Sequence, residues 1–237
     1  MSISAQTAQA TFLFESTDKQ STLLELYTSE GCSSCPPAEK WLNSLQSHPE
    51  LWKSFVPIAF HVNYWDYLGW KDQFADPNYT KRQKEYSRAW KSQSVYTPGF
   101  VNNGMEYRHW FQTKKLPHPS NKNVGQLRLE SSEKGYVSIL FTPASPAKGL
   151  FSAQLSLLGF DLSSQVTRGE NSGKNLKHQF VALSLNKVAL TTNNNRAWTG
   201  QVPFPKNKFK SEKTAMVAWV HREGALTPIQ ATGGWLN

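Results

Sequence analysis

Apolar residues in the first half of the chain fall into short continuous runs and one helically spaced set. The runs at 23–28 and 56–62 have the length and composition of buried strands. Between them, the apolar positions in 38–45 (Ala, Trp, Leu, Leu) recur at helical spacing and predict a helix of about three turns. The order strand, helix, strand predicts two parallel strands joined by a helical crossover.

A second helix and a hairpin are expected further along. Asp76-Pro77 is typical of a helix start, because Asp caps free backbone N–H groups and proline is tolerated at the first helical position. We expect the cationic residues of this helix to form its solvent-exposed side; these are Lys81, Arg82, Lys84, Arg88 and Lys91. The tripeptide Asn102-Asn103-Gly104 then predicts a tight turn between two hairpin strands.

The pattern becomes β-rich after a polar, proline-containing connector at 114–123. The β-rich runs lie at 126–130, 136–141, 151–160, 178–190 and 214–222, with turn-forming clusters between them. The chain is therefore predicted to be an α/β (α+β) protein with an N-terminal arm at 1–20, an α/β domain at 21–115, and an antiparallel β-rich, sandwich-like domain at 124–237.

Charge and length limit the classes of partner. The chain has 237 residues and a net charge of +9, with −1 on residues 1–113 and +10 on residues 114–237. The lysines of the basic half are scattered, which favours a solvated face, and we expect no nucleic-acid partner. No apolar run reaches the roughly 18 residues of a membrane span. The first residues lack the basic and apolar segments of a secretory signal, so the protein is expected to be cytoplasmic if this N-terminus is native; removal of a leader is the alternative.

Cys32 and Cys35 are the only cysteines in the chain, and they form a single Cys-x-x-Cys pair between the first strand and the first helix. A helix start favours a thiolate, which is the reactive form of cysteine in disulfide exchange. A structural zinc site would need about four ligands, and a disulfide ring this small stabilises little by loop closure. The proline pair at 36–37 is expected to push Cys35 out of the α region and to start the helix at Pro36 or Pro37.

Four segments resemble a bacterial family catalogued as domain of unknown function 1223, which is usually secreted and is placed in the thioredoxin-like superfamily. They are ELYTSEGCSSCPPA at 25–38, HVNYWDYLGWKD at 61–72, YTPG at 96–99 and RGENSG at 168–173. The chain departs from the family pattern at Asn63, where the family usually has Asp. The resemblance implies that 21–115 is a thioredoxin-like domain, with the β-rich part appended to it. We also expect the segment at 168–171 to be a loop that meets the first domain.

The resemblance also implies roles for four residues. Cys32 would attack a substrate disulfide, and Cys35 would resolve the mixed disulfide that results. Thr97-Pro98 stands where the thioredoxin fold carries a cis-proline beside the active site, so we expect a cis bond and pairing of the Thr97 backbone with an extended substrate.

Glu25 lies in an apolar strand and has two readings. It is either solvent-facing or salt-bridged, or it is a partly buried acid with a raised pKa that relays protons to the thiols. Asp66 and Asp72 are expected to be turn or capping groups. The histidines at 48, 109, 118, 178 and 221 show no spacing typical of a catalytic set.

The resulting hypothesis is a thiol–disulfide oxidoreductase that acts on a disulfide-bearing protein or a small thiol, with the Cys32–Cys35 disulfide in place of a cofactor and with no metal. The oligomeric state stays open. The alternative is not an enzyme: a thioredoxin-fold binding module, or a copper(I) carrier using Cys32, Cys35 and His61. An enzyme predicts an exposed Cys32 sulfur, whereas a binding module predicts buried, unreactive cysteines.

Overall fold

Two fully buried strands, β2 (Thr22–Thr28) and β3 (Phe55–His61), form the parallel pair that the two apolar runs predict. The structure, a computed structural model, describes residues 12–236 apart from 133, 134, 193 and 195. Helix α1 (Pro36–Ser44) connects β2 to β3, and strand β4 (Gly99–Asn102) pairs antiparallel with β2 on the other side. The turn at Asn103 and Gly104, which have φ of 45° and 84°, leads into β5 (Met105–Glu106), so the predicted hairpin turn is confirmed.

The remaining elements are mostly strands, which gives a mixed α/β fold with few helices and confirms the predicted α+β class. The helices are α2 (Pro77–Ala89) and α3 (Trp110–Thr113), with 3-10 turns at Leu45–Ser47 and Asp66–Leu68. The strands are β1 (Leu13–Glu15), β6 (Gly125–Ser132), β7 (Tyr136–Pro143), β8 (Phe151–Gly159), β9 (Leu162–Gln165), β10 (Asn175–His178), β11 (Val181–Ala182), β12 (Asn186–Leu190), β13 (Trp198–Pro203), β14 (Thr214–Arg222) and β15 (Gln230–Trp235). No helix in the described part of the chain is both long and apolar enough to cross a membrane.

Helices α1 and α2 pack on opposite faces of the β2–β3 pair. Successive side chains of a strand point to opposite faces, so positions 25 and 28 point in opposite directions. Thr28 bonds Glu39 of α1, whereas Glu25 bonds Arg82 of α2. The α1 face, which also carries the Cys-x-x-Cys loop, is therefore separated from the α2 face by the sheet.

Strands from the second half of the chain continue the same sheet. The order β15-β14-β8-β11-β3-β2-β4-β5, with β12 also paired to β8, makes a nine-stranded sheet among the described residues. A second sheet, in the order β1-β6-β7-β13, shares a buried apolar cluster with β8 and β14. Residues 21–115 and 124–237 thus contribute strands to one sheet. The apolar pattern of each strand alone does not predict which strands pair. Of the predicted arm at 1–20, residues 1–11 lie outside the described residues, and Leu13–Glu15 pair with β6.

Candidate functional site

The two cysteines are joined by a disulfide in the loop between β2 and α1. Helix α1 begins at Pro36, as the proline pair predicts, and the Cys35 N–H donates to the carbonyl of Cys32. The expectation that Cys35 leaves the α region is wrong: its φ of −75° and ψ of −37° are helical. Cys32 lies one turn before the helix, in the loop, so the positive end of the helix points towards the disulfide.

A loop at 166–174, between β9 and β10, packs against the backbone of the disulfide loop. The Asn171 side-chain amide donates to the carbonyls of Glu30 and Cys32 at 2.8 and 2.9 Å, and Asn171 is fully buried. Glu170 accepts from the Ser33 N–H at 2.9 Å, and this bond lowers the pKa of the Glu170 carboxyl. The predicted contact of this segment with the first half of the chain is confirmed. Neither Cys32 nor Cys35 is accessible to solvent in this oxidised state, which is not what we expect of an enzyme's attacking sulfur.

Thr97 and Pro98 meet the disulfide loop through one aromatic residue. The Thr97–Pro98 peptide bond is cis, as predicted. The Trp65 indole donates to Oγ1 of Thr97 at 2.7 Å, and the Trp65 Cβ lies 2.9 Å from where a side chain would begin at Gly31. Trp65 therefore lies between the Cys-x-x-Cys loop and the turn before β4, and only glycine leaves room for it at position 31.

Glu25 lies on the other face of the sheet. Its carboxylate, fully buried, accepts from Arg82 Nε at 2.7 Å and Nη2 at 3.0 Å, and from the hydroxyls of Tyr86 and Tyr27 at 2.6 and 2.9 Å. The expectation of a solvent-exposed Arg82 is wrong, since only 4% of this residue is exposed. Of the two readings of Glu25, the contacts match the salt-bridged one, and its carboxylate is not brought to the thiols.

A buried cluster of carboxylates and imidazoles lies on the α1 face, next to the disulfide loop. Nδ1 of His178 lies 2.6 Å from Glu39, and its Nε2 lies 3.1 Å from Glu30. His61 Nδ1 lies 2.7 Å from Asp72, and the His61 and His178 ring centroids are 5.1 Å apart. We call Glu30, Glu39, His61, Asp72 and His178 the acid–imidazole cluster. It is linked to the disulfide loop through the chain, because Glu30 is two residues before Cys32 and the Glu39 N–H donates to the carbonyl of Cys35.

Attraction between the carboxylates and imidazoles of the cluster shifts their pKa values towards the charged forms, against the effect of burial. Burial alone opposes a charged imidazole, but the Glu39 carboxylate and the hydrogen bonds to Glu30 and Glu39 raise the pKa of His178 to about 10. Burial would raise the pKa of Glu39, yet the charge of His178 lowers it below the usual value. For His61, burial lowers the pKa, but the charge and hydrogen bond of Asp72 together with the charge of Glu39 raise it above the usual value. The cluster is therefore a set of buried ion pairs.

The sequence interpretation missed most of this cluster. No spacing connects His178 to another histidine, and no sequence pattern singles out Glu30 or Glu39. Asp72 does cap its turn, since it accepts from the Phe74 N–H at 2.9 Å, but its other oxygen binds His61 and the Glu30 N–H. A signal was present, because three of the quoted family-like segments contain Glu30, His61, Asp72 and Asn171.

The arrangement can support two kinds of chemistry. The disulfide can accept two electrons to become a dithiol. The ligand atoms of Glu39, His61 and His178 lie within 4.8 Å of one another, which is the residue set in the described structure that could hold a metal ion. The two sulfurs are bonded to each other, so in this oxidised state Cys32 and Cys35 do not offer thiolate ligands to an ion beside His61.

Two solved structures resemble this one in fold. The crystal structure of protein AGR_C_4864 from Agrobacterium tumefaciens has a TM-score of 0.66 and 22% identity, covering 92% of this chain and 96% of that one. HBP35 of Porphyromonas gingivalis has a TM-score of 0.62 and 15% identity, covering 91% of this chain and 75% of that one. At these identities the likeness shows the fold alone. No functionally curated protein matches the chain. The profile of the family described as protein of unknown function (DUF1223) matches residues 23–221, and the chain belongs to that family.

Proposed function

We propose that the protein is a thiol–disulfide oxidoreductase of thioredoxin-like type, in which Cys32 and Cys35 exchange electrons with a disulfide-bearing protein or small thiol. The observation that carries the proposal is the disulfide itself. It joins the chain's only two cysteines across two residues, immediately before a helix that follows a central strand. This position favours a thiolate after reduction.

The thioredoxin-like assignment is supported by the surrounding elements. Strands β2 and β3 are parallel and joined by α1, while β4 is antiparallel to β2 and follows the Thr97–Pro98 turn. The Thr97 side chain is tied to the disulfide loop through Trp65. In this proposal the Thr97 backbone aligns an extended substrate beside the disulfide.

The proposed reaction consists of two thiol–disulfide exchange steps. In the reduced protein, the Cys32 thiolate attacks one sulfur of the substrate disulfide, forms a mixed disulfide, and releases the other substrate sulfur as a thiol. The Cys35 thiolate then attacks the Cys32 sulfur, which restores the Cys32–Cys35 disulfide and releases the second substrate thiol. The substrate gains two electrons and two protons, and a dithiol donor returns the protein to its reduced form. The same steps in reverse oxidise a substrate dithiol.

In this proposal the buried sulfurs become accessible when the 166–174 loop opens. Asn171 holds this loop to the backbone on both sides of Gly31, through the carbonyls of Glu30 and Cys32. Because loops held by few contacts open locally without global unfolding, exchange proceeds from an opened minority state. The burial of both cysteines is also the observation that favours the second candidate, a binding module in which the disulfide is structural.

The test is insulin reduction by dithiothreitol in the presence of the wild type, Cys32→Ser and Cys35→Ser. We expect turnover by the wild type only. Cys35→Ser should accumulate a mixed disulfide through Cys32, because the resolving thiol is gone, whereas Cys32→Ser should not. Both variants lack the disulfide, so each is the matched control for the other's folding. No turnover by the wild type and no mixed disulfide in folded Cys35→Ser would favour the binding module.

A further inference from the structure

The acid–imidazole cluster contains a ring nitrogen that lacks a partner. Nε2 of His61 has no hydrogen-bond partner among the described residues, and only 1% of His61 is exposed, so solvent does not supply one. Its Nδ1 lies 2.7 Å from the Asp72 carboxylate, which can only accept a hydrogen bond when ionised. In a neutral ring the proton is therefore on Nδ1, and Nε2 carries the free lone pair. Leaving such a group buried and unpaired is costly, and a ligand bound to Nε2 would remove that cost.

Three elements of the fold bring possible metal ligands together in the acid–imidazole cluster. Glu39 comes from α1, His61 from the end of β3, and His178 from the end of β10. Their ligand atoms lie within 4.8 Å of one another, and all three residues are buried. We propose that Glu39, His61 and His178 bind a divalent first-row transition metal ion, for which Zn²⁺ is the best fit.

Each proposed ligand is held by an outer partner. Asp72 orients His61, Thr28 donates to Glu39 at 2.5 Å, and Glu30 lies against Nε2 of His178. Metal-binding histidines commonly donate their second ring nitrogen to a carboxylate, which fixes the ring and makes the ligating nitrogen more basic. Each of the three convergent donors thus has one outer partner, as the ligands of a metal site commonly do.

The donor set selects the type of ion. Two imidazoles and a carboxylate suit zinc and neighbouring transition metals, whereas Mg²⁺ and Ca²⁺ prefer oxygen ligands. Ligand atoms of a tetrahedral zinc site, with bonds of about 2.0–2.2 Å, lie about 3.5 Å from one another. Oε2 of Glu39 and Nδ1 of His178 are 2.6 Å apart, so these two atoms must separate when the ion enters between them. The cluster contains three carboxylates and two imidazoles. When both imidazoles are neutral and bind the ion, the charge of the carboxylates is no longer balanced by the histidines, and a divalent cation offsets it.

A cavity borders one of the three proposed ligands. A cavity of about 290 Å³ between α1 and β10 is lined by Glu39 and by Leu176 and Lys177, which precede His178. Neither cysteine lines this cavity. The proposal concerns residues other than the thiols and does not depend on the oxidoreductase activity.

The test is calorimetric titration of ZnCl₂ into chelator-treated protein with the disulfide intact, so that neither cysteine can be a ligand. We expect one Zn²⁺ per chain and a rise in Tm with Zn²⁺ concentration. Asp72→Asn should lower the affinity by roughly 10- to 100-fold, the range typical of an outer partner, and His61→Gln should lower it further. His221→Gln is the matched control, because His221 is also buried, with an unpartnered Nε2, but lies outside the cluster and should bind as the wild type does.

A Co²⁺ spectrum of the wild type keeps the proposal testable if the His61 variant does not fold. Four-coordinate Co²⁺ absorbs visible light far more strongly than the octahedral ion on surface groups. Intense bands with the disulfide intact support the site. No binding, weak octahedral bands, or Zn²⁺ binding that survives both cluster substitutions in folded protein would overturn the proposal. Insulin reduction is measured on metal-free protein, so its failure would leave the metal result standing, and the reverse holds as well.

Discussion

Glu25 provides the sharpest test of which acids belong to the candidate site. Its carboxylate is fully buried and accepts two bonds from Arg82 and one each from two tyrosine hydroxyls. Substitution Glu25→Gln keeps the shape of the side chain but removes its charge, and so leaves the Arg82 guanidinium buried without a counter-ion. Because this network lies on the α2 face, we expect it to affect stability and not thiol chemistry.

The size of the effect follows from the burial of both partners. Breaking a buried ion pair by removing one charge typically costs about 3–5 kcal/mol. For a chain of this size, each kcal/mol lowers Tm by roughly 2–4 °C, so we expect Glu25→Gln to lower Tm by about 6–20 °C. Calorimetry of the oxidised protein measures this directly. The rate of insulin reduction per folded molecule should equal that of the wild type at temperatures below the transition.

Two controls separate the ion pair from a general effect of losing an acid. Glu130→Gln removes an exposed partner of Arg128 and should cost less than about 1 kcal/mol. Combining Glu25→Gln with Arg82→Met removes both charges, and the double variant should be less destabilised than the sum of the two single variants. An unchanged Tm in Glu25→Gln would refute the assignment of a structural ion pair. A fall in exchange rate at full folding would instead support the proton-relay reading of Glu25.

Three further predictions concern the disulfide loop and the cluster. Asn171→Ala should speed reduction of the disulfide by dithiothreitol about 5- to 150-fold, because losing two buried hydrogen bonds makes opening easier by roughly 1–3 kcal/mol. Thiol labelling over time measures this rate, and an unchanged rate would mean that the loop does not limit access. In metal-free protein the raised pKa of His178 contributes stability that is complete below about pH 6.5 and is lost as pH rises through about 10, on the order of a few kcal/mol. His178→Gln should therefore reduce the fall in Tm between pH 7 and pH 10, and an identical fall in both proteins would argue against a charged His178. Gly31→Ala places a Cβ 2.9 Å from that of Trp65 and should cost about 1–3 kcal/mol, as measured by denaturant unfolding; a neutral result would show that Trp65 is free to shift.

The local elements around the disulfide were predictable because their signals are local. A continuous apolar run predicts a buried strand, and a proline pair predicts where a helix begins. The caps and turns at Asp76 and Gly104 depend on residues within a few positions of each other. The strand pairings were not predictable, since β11 joins β3 through Val181 and Ala59, which are distant in sequence. The strand β15 has two glycines among six residues, and its composition gives little strand signal.

The acid–imidazole cluster depends on long-range contacts for the same reason. His178 meets Glu39 and Glu30 across 139 and 148 residues, and no spacing rule applies to such pairs. A charged residue in a charged stretch usually lies on the exposed side of its helix, and this rule predicts an exposed Arg82. Its partner Glu25 is 57 residues away in the sequence. Burial of a charge is decided by the partner, so it becomes visible only when the tertiary structure brings the two together.

The most direct test of the central claim is an equilibrium titration of the Cys32–Cys35 pair against mixtures of reduced and oxidised glutathione. The fraction of dithiol is measured by thiol labelling and mass spectrometry, while circular dichroism follows folding in the same samples. The account predicts a reversible two-electron transition, with the same midpoint from the oxidised and the reduced side, in protein that stays folded. If the cysteines stay disulfide-bonded until the protein unfolds, the disulfide is structural and the oxidoreductase proposal is contradicted.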